Sequence, residues 1–136
     1  MALVDAGGLP ISLSLHEASA HEVTLAFGLV VGCWTTEMPE VVAGDKAYDS
    51  DPLDDELGPC GVEMVAPHRK NRKNRKKPAT QDEAGLEPYK RRWKVERFFS
   101  WLQRFRRLVV RYERKAANFL GFVQLAAIVM HVRDRY

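Results

Sequence analysis

The spacing of apolar side chains divides the chain into short segments. Ala2 to Ala6 is apolar, Gly7-Gly8-Leu9-Pro10 is a turn, and Ile11 to Leu15 alternates apolar and polar with period two. That pattern predicts a β-hairpin with one buried face. From His21 to Val31 the apolar residues recur at helical spacing, with Ser19 as a candidate N-cap. Val41 to Gly44 is a short apolar run ending at Asp45 and predicts a buried strand. Ser50 to Leu57 reads as an acidic helix capped by Ser50 or Asp51, with Pro52 in its first turn. Val62 to Ala66 is a further strand, closed by Pro67. Strands alternating with helices in this order predict an α/β fold with a mixed sheet and flanking helices.

The second half is different. Arg69 to Pro88 carries a dense basic run and predicts a loop over about 69–88. Tyr89 to Arg107 predicts one long helix, and Ala116 to Val132 a second, mostly apolar helix belonging to the core. On the long helix Val95, Phe98, Leu102 and Phe105 share a side, flanked by Trp101. Tyr89, Arg92, Glu96 and Gln103 fall within roughly a 60° arc, about 140° from that stripe. Arg107 lies on the polar side too. By spacing alone, Arg92 and Glu96 are an ordinary ion pair one turn apart on a solvated face.

Charge sharpens this picture. The net charge of +3 combines two opposed halves. Up to His68 the one basic side chain, Lys46, stands against about 12 acidic ones, roughly −11. From Arg69 onward about 20 Lys and Arg stand against about 6 Asp and Glu, roughly +14. Such asymmetry points to a polyanion, nucleic acid before membrane. No apolar run is read as long enough to span a bilayer, and Met1 to Gly8 lacks the basic-then-apolar order of a signal peptide. A cytoplasmic protein is expected. Cys33 and Cys60 are too few for a disulfide framework and are expected to be reduced. The four histidines lack metal-ligand spacing, and the acids from Asp49 to Glu56 lack the EF-hand glycine.

The tract from Tyr89 to Trp101 resembles bacterial insertion-sequence transposases of the DDE class, in the branch often called IS-five-like. That branch carries Y-x(2)-R-x(3)-E-x(6)-K in its last catalytic helix. Tyr89, Arg92 and Glu96 match it, and Gln103 stands where the lysine is expected. Gly44 to Asp51 resembles the strand end that bears the second catalytic Asp, here Asp45. Arg111 to Leu120 with Phe122 to Ala126 resembles the C-terminal helix, and Ala2 to Ala6 with Ala18 to His21 the hairpin before the first helix.

The resemblance implies an RNase H-like mixed sheet with flanking helices, lacking the first strand and its catalytic Asp, over residues 1–136. It implies metal-dependent DNA strand cleavage and transfer, with Asp45 and Glu96 as catalytic carboxylates that bind two Mg²⁺ or Mn²⁺ ions. Tyr89, Arg92, Gln103, Arg107, Arg69, Lys70, Arg72 and Lys73 are the implied DNA contacts, on terminal inverted repeats and target DNA. Asp5 reads as a turn residue instead of a third ligand. A nucleoid-associated homo-oligomer, or a fusion with an upstream reading frame, is expected, without a membrane partner. The alternatives are a second frame of a split gene, a decayed fragment or a wrongly assigned start. On each, the isolated chain is expected not to cleave DNA. A non-catalytic DNA-binding fragment that regulates transposition is the competing reading.

Overall fold

The computed structural model describes residues 1–69 and 83–134. Strands β1 (Ala2–Val4) and β2 (Pro10–Leu13) form an antiparallel hairpin with Ala2 opposite Leu13 and Leu3 opposite Ser12. The register shifts between Leu3 and Val4. Asp5 makes the turn: its Oδ1 accepts the Gly7 and Leu9 amides at 2.8 and 2.9 Å. Gly8 has φ +92°, which a side chain would strain.

The hairpin differs from the sequence expectation, because both of its faces are covered. Leu3 packs on a first core cluster with Ala26, Val30, Val42, Leu53, Leu57 and Met64. Ala2, Val4 and Leu13 pack on a second cluster around Phe98, Leu102 and Ala126. The period of two along a strand sends neighbouring residues to opposite sides. The hairpin is therefore the wall between two cores.

Helix α1 (Glu22–Val31) follows, with His21 at the N-cap instead of Ser19. No side chain caps it; the Thr24 hydroxyl donates back to the His21 carbonyl at 2.7 Å. Strand β3 (Val41–Ala43) leads through a 3-10 turn at Lys46–Tyr48 to helix α2 (Asp51–Leu57), whose N-cap is Ser50. Strand β4 (Glu63–Val65) pairs parallel with β3, Val42 opposite Met64. The single mixed sheet expected from the sequence is not formed among the described residues. The strands make two separate pairs, β1–β2 and β3–β4. One edge of β1 and one edge of β3 therefore lack a strand neighbour within this sheet order.

The long helix expected over Tyr89 to Arg107 is three helices: α3 (Glu87–Lys90), α4 (Trp93–Leu102) and α5 (Arg106–Val109). The breaks are tight turns. Arg91, Arg92, Lys94 and Val95 donate to carbonyls three residues back, which overwinds the backbone. After Leu102 the same three-residue bonding recurs at Arg104 and Phe105, and Phe105 becomes extended. That lets Phe105 turn into the second core and meet Trp101 edge-on at 5.0 Å. Residue periodicity could not reveal this, because the apolar stripe continues through the break.

Helix α6 (Ala116–Asp134) closes the described chain. Its expected place in the core is only partly realised. Ala126 and Ala127 are buried, while Leu125, Ile128, Val129 and Val132 are exposed. The helix is apolar on most sides but has neighbours on one, so the rest faces outward. Contrary to the sequence expectation, it is by length and composition alone long and apolar enough to cross a membrane. Asn118, Gln124 and His131 interrupt the run without lowering the average far enough.

Candidate functional site

Asp45 stands just beyond the carboxyl end of β3. The chain passes Gly44 at close quarters: a Cβ there would lie 2.5 Å from Met64 Cε and 2.7 Å from the Tyr48 ring. Only glycine fits without displacing both. The Gly44 amide continues the ladder, donating to the Val65 carbonyl at 3.0 Å. Asp45 then caps the 3-10 turn, its Oδ1 accepting the Ala47 amide at 2.7 Å. Its side chain is exposed.

Tyr48 sits at the base of this turn and packs against the first core. Its hydroxyl donates to Glu22 Oε2 at 3.4 Å. Burial, then the nearby carboxylates of Glu22 and Asp45, push its hydroxyl up to about 12. The phenol stays neutral across the physiological range and acts as a fixed donor beside two acids.

Glu96 lies in the first turn of α4, where the helix dipole favours an acid. Its Oε1 is 3.1 Å from Arg92 Nη2, with side chains 61% and 45% exposed respectively. Arg92 also lies over the Tyr89 ring, 5.6 Å from the centroid. Tyr89, Arg92 and Glu96 thus remain linked although a turn separates α3 from α4. On the opposite side Phe98, 1% exposed, anchors the helix in the second core. Two further side chains of α4 tie it to the hairpin turn. Lys94 Nζ donates to the Ala6 carbonyl, and Arg97 Nη2 donates to the Gly7 carbonyl at 2.9 Å.

Helix α3 packs on β3 and α4 packs on β1. Between these elements lies a cleft of about 670 Å³. Residues of β1 and of β3 line it, together with Asp5, Glu22, Asp45, Tyr48, Arg91 and Arg92. Asp45 and Arg92 therefore share one cleft. Glu96 is outside its lining, one turn along the helix from Arg92. Among the described residues no three His, Cys, Asp or Glu side chains are grouped closely enough to hold a metal ion.

The remaining positions expected at the site are scattered. Gln103 is exposed at the C-cap of α4. Arg107 belongs to α5, where Nη1 approaches Glu113 Oε1 at 3.4 Å and the guanidinium covers the Phe122 ring at 5.2 Å. It does not share the Glu96 face, because the break after Leu102 reorients the chain. Arg69 is exposed but bonded back onto the chain: its amide donates to Asp49 Oδ2 at 2.8 Å, and its guanidinium donates to backbone carbonyls beside Asp45. Lys70, Arg72 and Lys73 lie outside the described residues. Elsewhere, His131 Nε2 lies 2.7 Å from the Pro10 carbonyl, tying α6 to β2. Cys33 and Cys60 are free thiols, Cys60 exposed.

The sequence did not show the hydrogen bonds of Arg69 to the 3-10 turn, nor the two ties from α4 to the hairpin turn. Arg69 opens a run of cations, and the resemblance together with that charge density made it an expected DNA contact. The signal that could have found it was Asp49, a carboxylate four residues past Asp45 with a predicted strand end opposite. Lys94 and Arg97 carry a three-residue spacing, but nothing in the sequence shows that backbone carbonyls receive them.

Residues 1–130 match the family profile described as Transposase DDE domain. A candidate transposase for insertion sequence element IS402 from Burkholderia cepacia is 31% identical over 136 residues, covering 94% of this chain and 59% of that protein. A candidate transposase for insertion sequence element IS6501 from Brucella ovis is 30% identical over 132 residues, covering 97% of this chain and 95% of that protein. No solved structure matches the chain. The chain belongs to the DDE transposase family of bacterial insertion sequences. It spans 59% of the length of the Burkholderia relative.

Proposed function

We propose that this chain supplies Asp45 and Glu96 to the catalytic centre of an insertion-sequence transposase that cuts and joins DNA. The observation that carries the proposal is the placement of Asp45. An exposed carboxylate, oriented by one backbone amide at a strand end, shares a cleft with Arg92, the partner of Glu96. Carboxylate oxygens are the donors that Mg²⁺ or Mn²⁺ prefers. Two such ions, when bound, stabilise the attacking and leaving oxygens of an in-line displacement at phosphorus. Asp45 and Glu96 would each hold an ion, and Tyr48 would keep Glu22 oriented beside Asp45. Tyr89, Arg92 and Gln103 would meet phosphates of the terminal inverted repeats, with Lys70, Arg72 and Lys73 adding charge that neutralises the backbone.

The reading includes a fold. In an RNase H-like sheet a further strand would join β1 to β3, and its carboxylate would complete the metal site. The cleft lined by both strands supports that reading, since each has an edge without a neighbour in the sheet order. Unsatisfied strand edges are costly to leave open. The 136-residue chain alone is then expected to be inactive. Metal-dependent nicking of insertion-sequence ends by the purified chain would overturn that expectation.

The site assignment is tested in a reconstituted full-length transposase. Asp45→Asn and Glu96→Gln are each expected to lower strand cleavage by roughly 10²- to 10³-fold, the order of magnitude for losing one charge-stabilising group, while keeping DNA affinity. Cleavage at the unchanged rate in either variant would remove that residue from the centre. A non-catalytic DNA-binding role would rest on the charge of the second half, about 20 Lys and Arg against about 6 Asp and Glu from Arg69 onward. That role predicts that both variants regulate transposition as the parent does.

A further inference from the structure

We infer that Arg69 is a positioning residue for Asp45, acting through a single peptide plane, and not a contact to DNA phosphate. The inference rests on the reading of Asp45 given above. Arg69 Nε donates to the Lys46 carbonyl at 2.7 Å, and Nη2 donates to the Ala47 carbonyl. The planar guanidinium presents its donors as a rigid fork, and two successive carbonyls of a tight turn match it. The Lys46 carbonyl and the Ala47 amide belong to the same peptide unit, which is rigid and flat. The amide end of that unit is what Asp45 Oδ1 accepts, at 2.7 Å. Arg69 and Asp45 therefore grip opposite ends of one plane.

Two consequences follow from elementary chemistry. A rigid plane held at its oxygen cannot rotate about its flanking bonds without breaking that bond, so the amide stays aimed at the carboxylate. A hydrogen bond to the carbonyl also polarises the unit and strengthens its N–H as a donor. With Oδ1 occupied in this way, the carboxylate keeps one orientation at the cleft. The hold is anchored from below: the Arg69 amide donates to Asp49 Oδ2 at 2.8 Å, and Asp49 is buried. Being a backbone bond, that anchor is kept by any substitution at Arg69 other than proline. The guanidinium can thus be tested without releasing the chain from Asp49. Lysine offers a point charge and no fork, so it is not expected to replace arginine.

The experiment has two arms. In the 136-residue chain, Arg69→Ala and Arg69→Lys are compared with the parent by NMR at the Ala47 amide. Expected are an upfield shift of that amide proton and faster exchange in both variants, with resonances of α1 and α4 unmoved. An unchanged Ala47 amide would overturn the inference. In the full-length transposase, both variants are expected to lower kcat for strand cleavage about 10- to 100-fold, the usual size of an effect on a group that orients a metal ligand. They are also expected to raise the Mn²⁺ concentration needed for half-maximal activity. DNA affinity and its salt dependence should stay as in the parent. Weaker DNA binding with a salt slope reduced by about one phosphate, and kcat preserved, would instead mark Arg69 as a phosphate contact and overturn the inference. Should the Ala47 amide respond while Asp45→Asn still cleaves, the reading of Asp45 fails and the hold on the turn stands. Should Asp45→Asn abolish cleavage while Arg69→Ala leaves kcat and metal dependence intact, the inference fails and the reading stands. If Arg69→Ala does not fold, Arg69→Lys carries both arms.

Discussion

The two carboxylates are held by different means. Asp45 is fixed locally: a glycine that admits no side chain, a tight turn, one amide and the fork of Arg69 all lie within a few residues or one strand of it. Glu96 is fixed remotely. Its own side chain is exposed and bonded to Arg92, and its position depends on how α4 docks, through Phe98 beneath and Lys94 and Arg97 to the side. If the two carboxylates form one site as proposed, one locally fixed and one remotely fixed, they should be lost by separate routes. Damage to the second core should displace Glu96 and leave the Asp45 turn intact.

The strongest disturbance of that arrangement is Phe98→Ala. Phe98 is 1% exposed and is the largest fully buried side chain of the chain's described residues. Removing a buried phenylalanine costs about 3–5 kcal/mol, from lost burial and the cavity left behind. Urea denaturation of the 136-residue chain should show that loss. Under conditions where the variant still folds, amide exchange should rise in α4 while Ala47 stays protected. Equal loosening of Ala47 and α4 would show that the two carboxylates are not held separately.

Gly8→Ala probes the side ties with a smaller effect. Gly8 has φ +92°, and a Cβ there would meet Arg97 Nη2 at 2.9 Å. The positive φ alone costs a residue with a side chain roughly 1–2 kcal/mol. The clash then falls on the guanidinium that binds the Gly7 carbonyl. A thermal melt should show the loss, and Lys94 should keep α4 against the turn through Ala6. A variant as stable as the parent would show that the turn relaxes freely and that Arg97 does not brace the helix.

Much of the element order was legible in the sequence, and the limits have physical causes. The hairpin, both helices of the first half and the β3–β4 strands follow from periodicity and turn residues, since each is a local property of backbone and side chain. The second cover on the hairpin was not legible, because alternation shows which residues share a face and not what lies over it. The long helix failed for a related reason. Its apolar stripe spans two tight turns, and the bonds that overwind the chain at Arg91 and Arg104 leave no composition signal. Asp45 and Glu96 could be singled out only through family resemblance. By spacing alone one was a strand-end acid and the other half of a surface ion pair. The hydrogen bonds of Arg69 were hidden by the cations that follow it, since charge density cannot tell a free exposed guanidinium from an exposed one bonded to backbone carbonyls.

The smallest expected effect separates what holds Glu96 from what merely touches it. Arg92 and Glu96 form an i,i+4 pair with both side chains about half exposed or more. Solvent and salt screen such a pair, and its contribution is about 0.3–0.5 kcal/mol. Arg92→Ala should therefore leave the denaturation midpoint of the chain nearly unchanged, and α4 should remain docked through Phe98. If Arg92 also meets phosphate as proposed, the same substitution in the full-length transposase should reduce the salt slope of DNA binding by about one. A large loss of stability would mean that the ion pair, and not the second core, sets the position of Glu96. The remote hold on that carboxylate would then be as local as the one on Asp45, and the contrast between the two ligands would disappear.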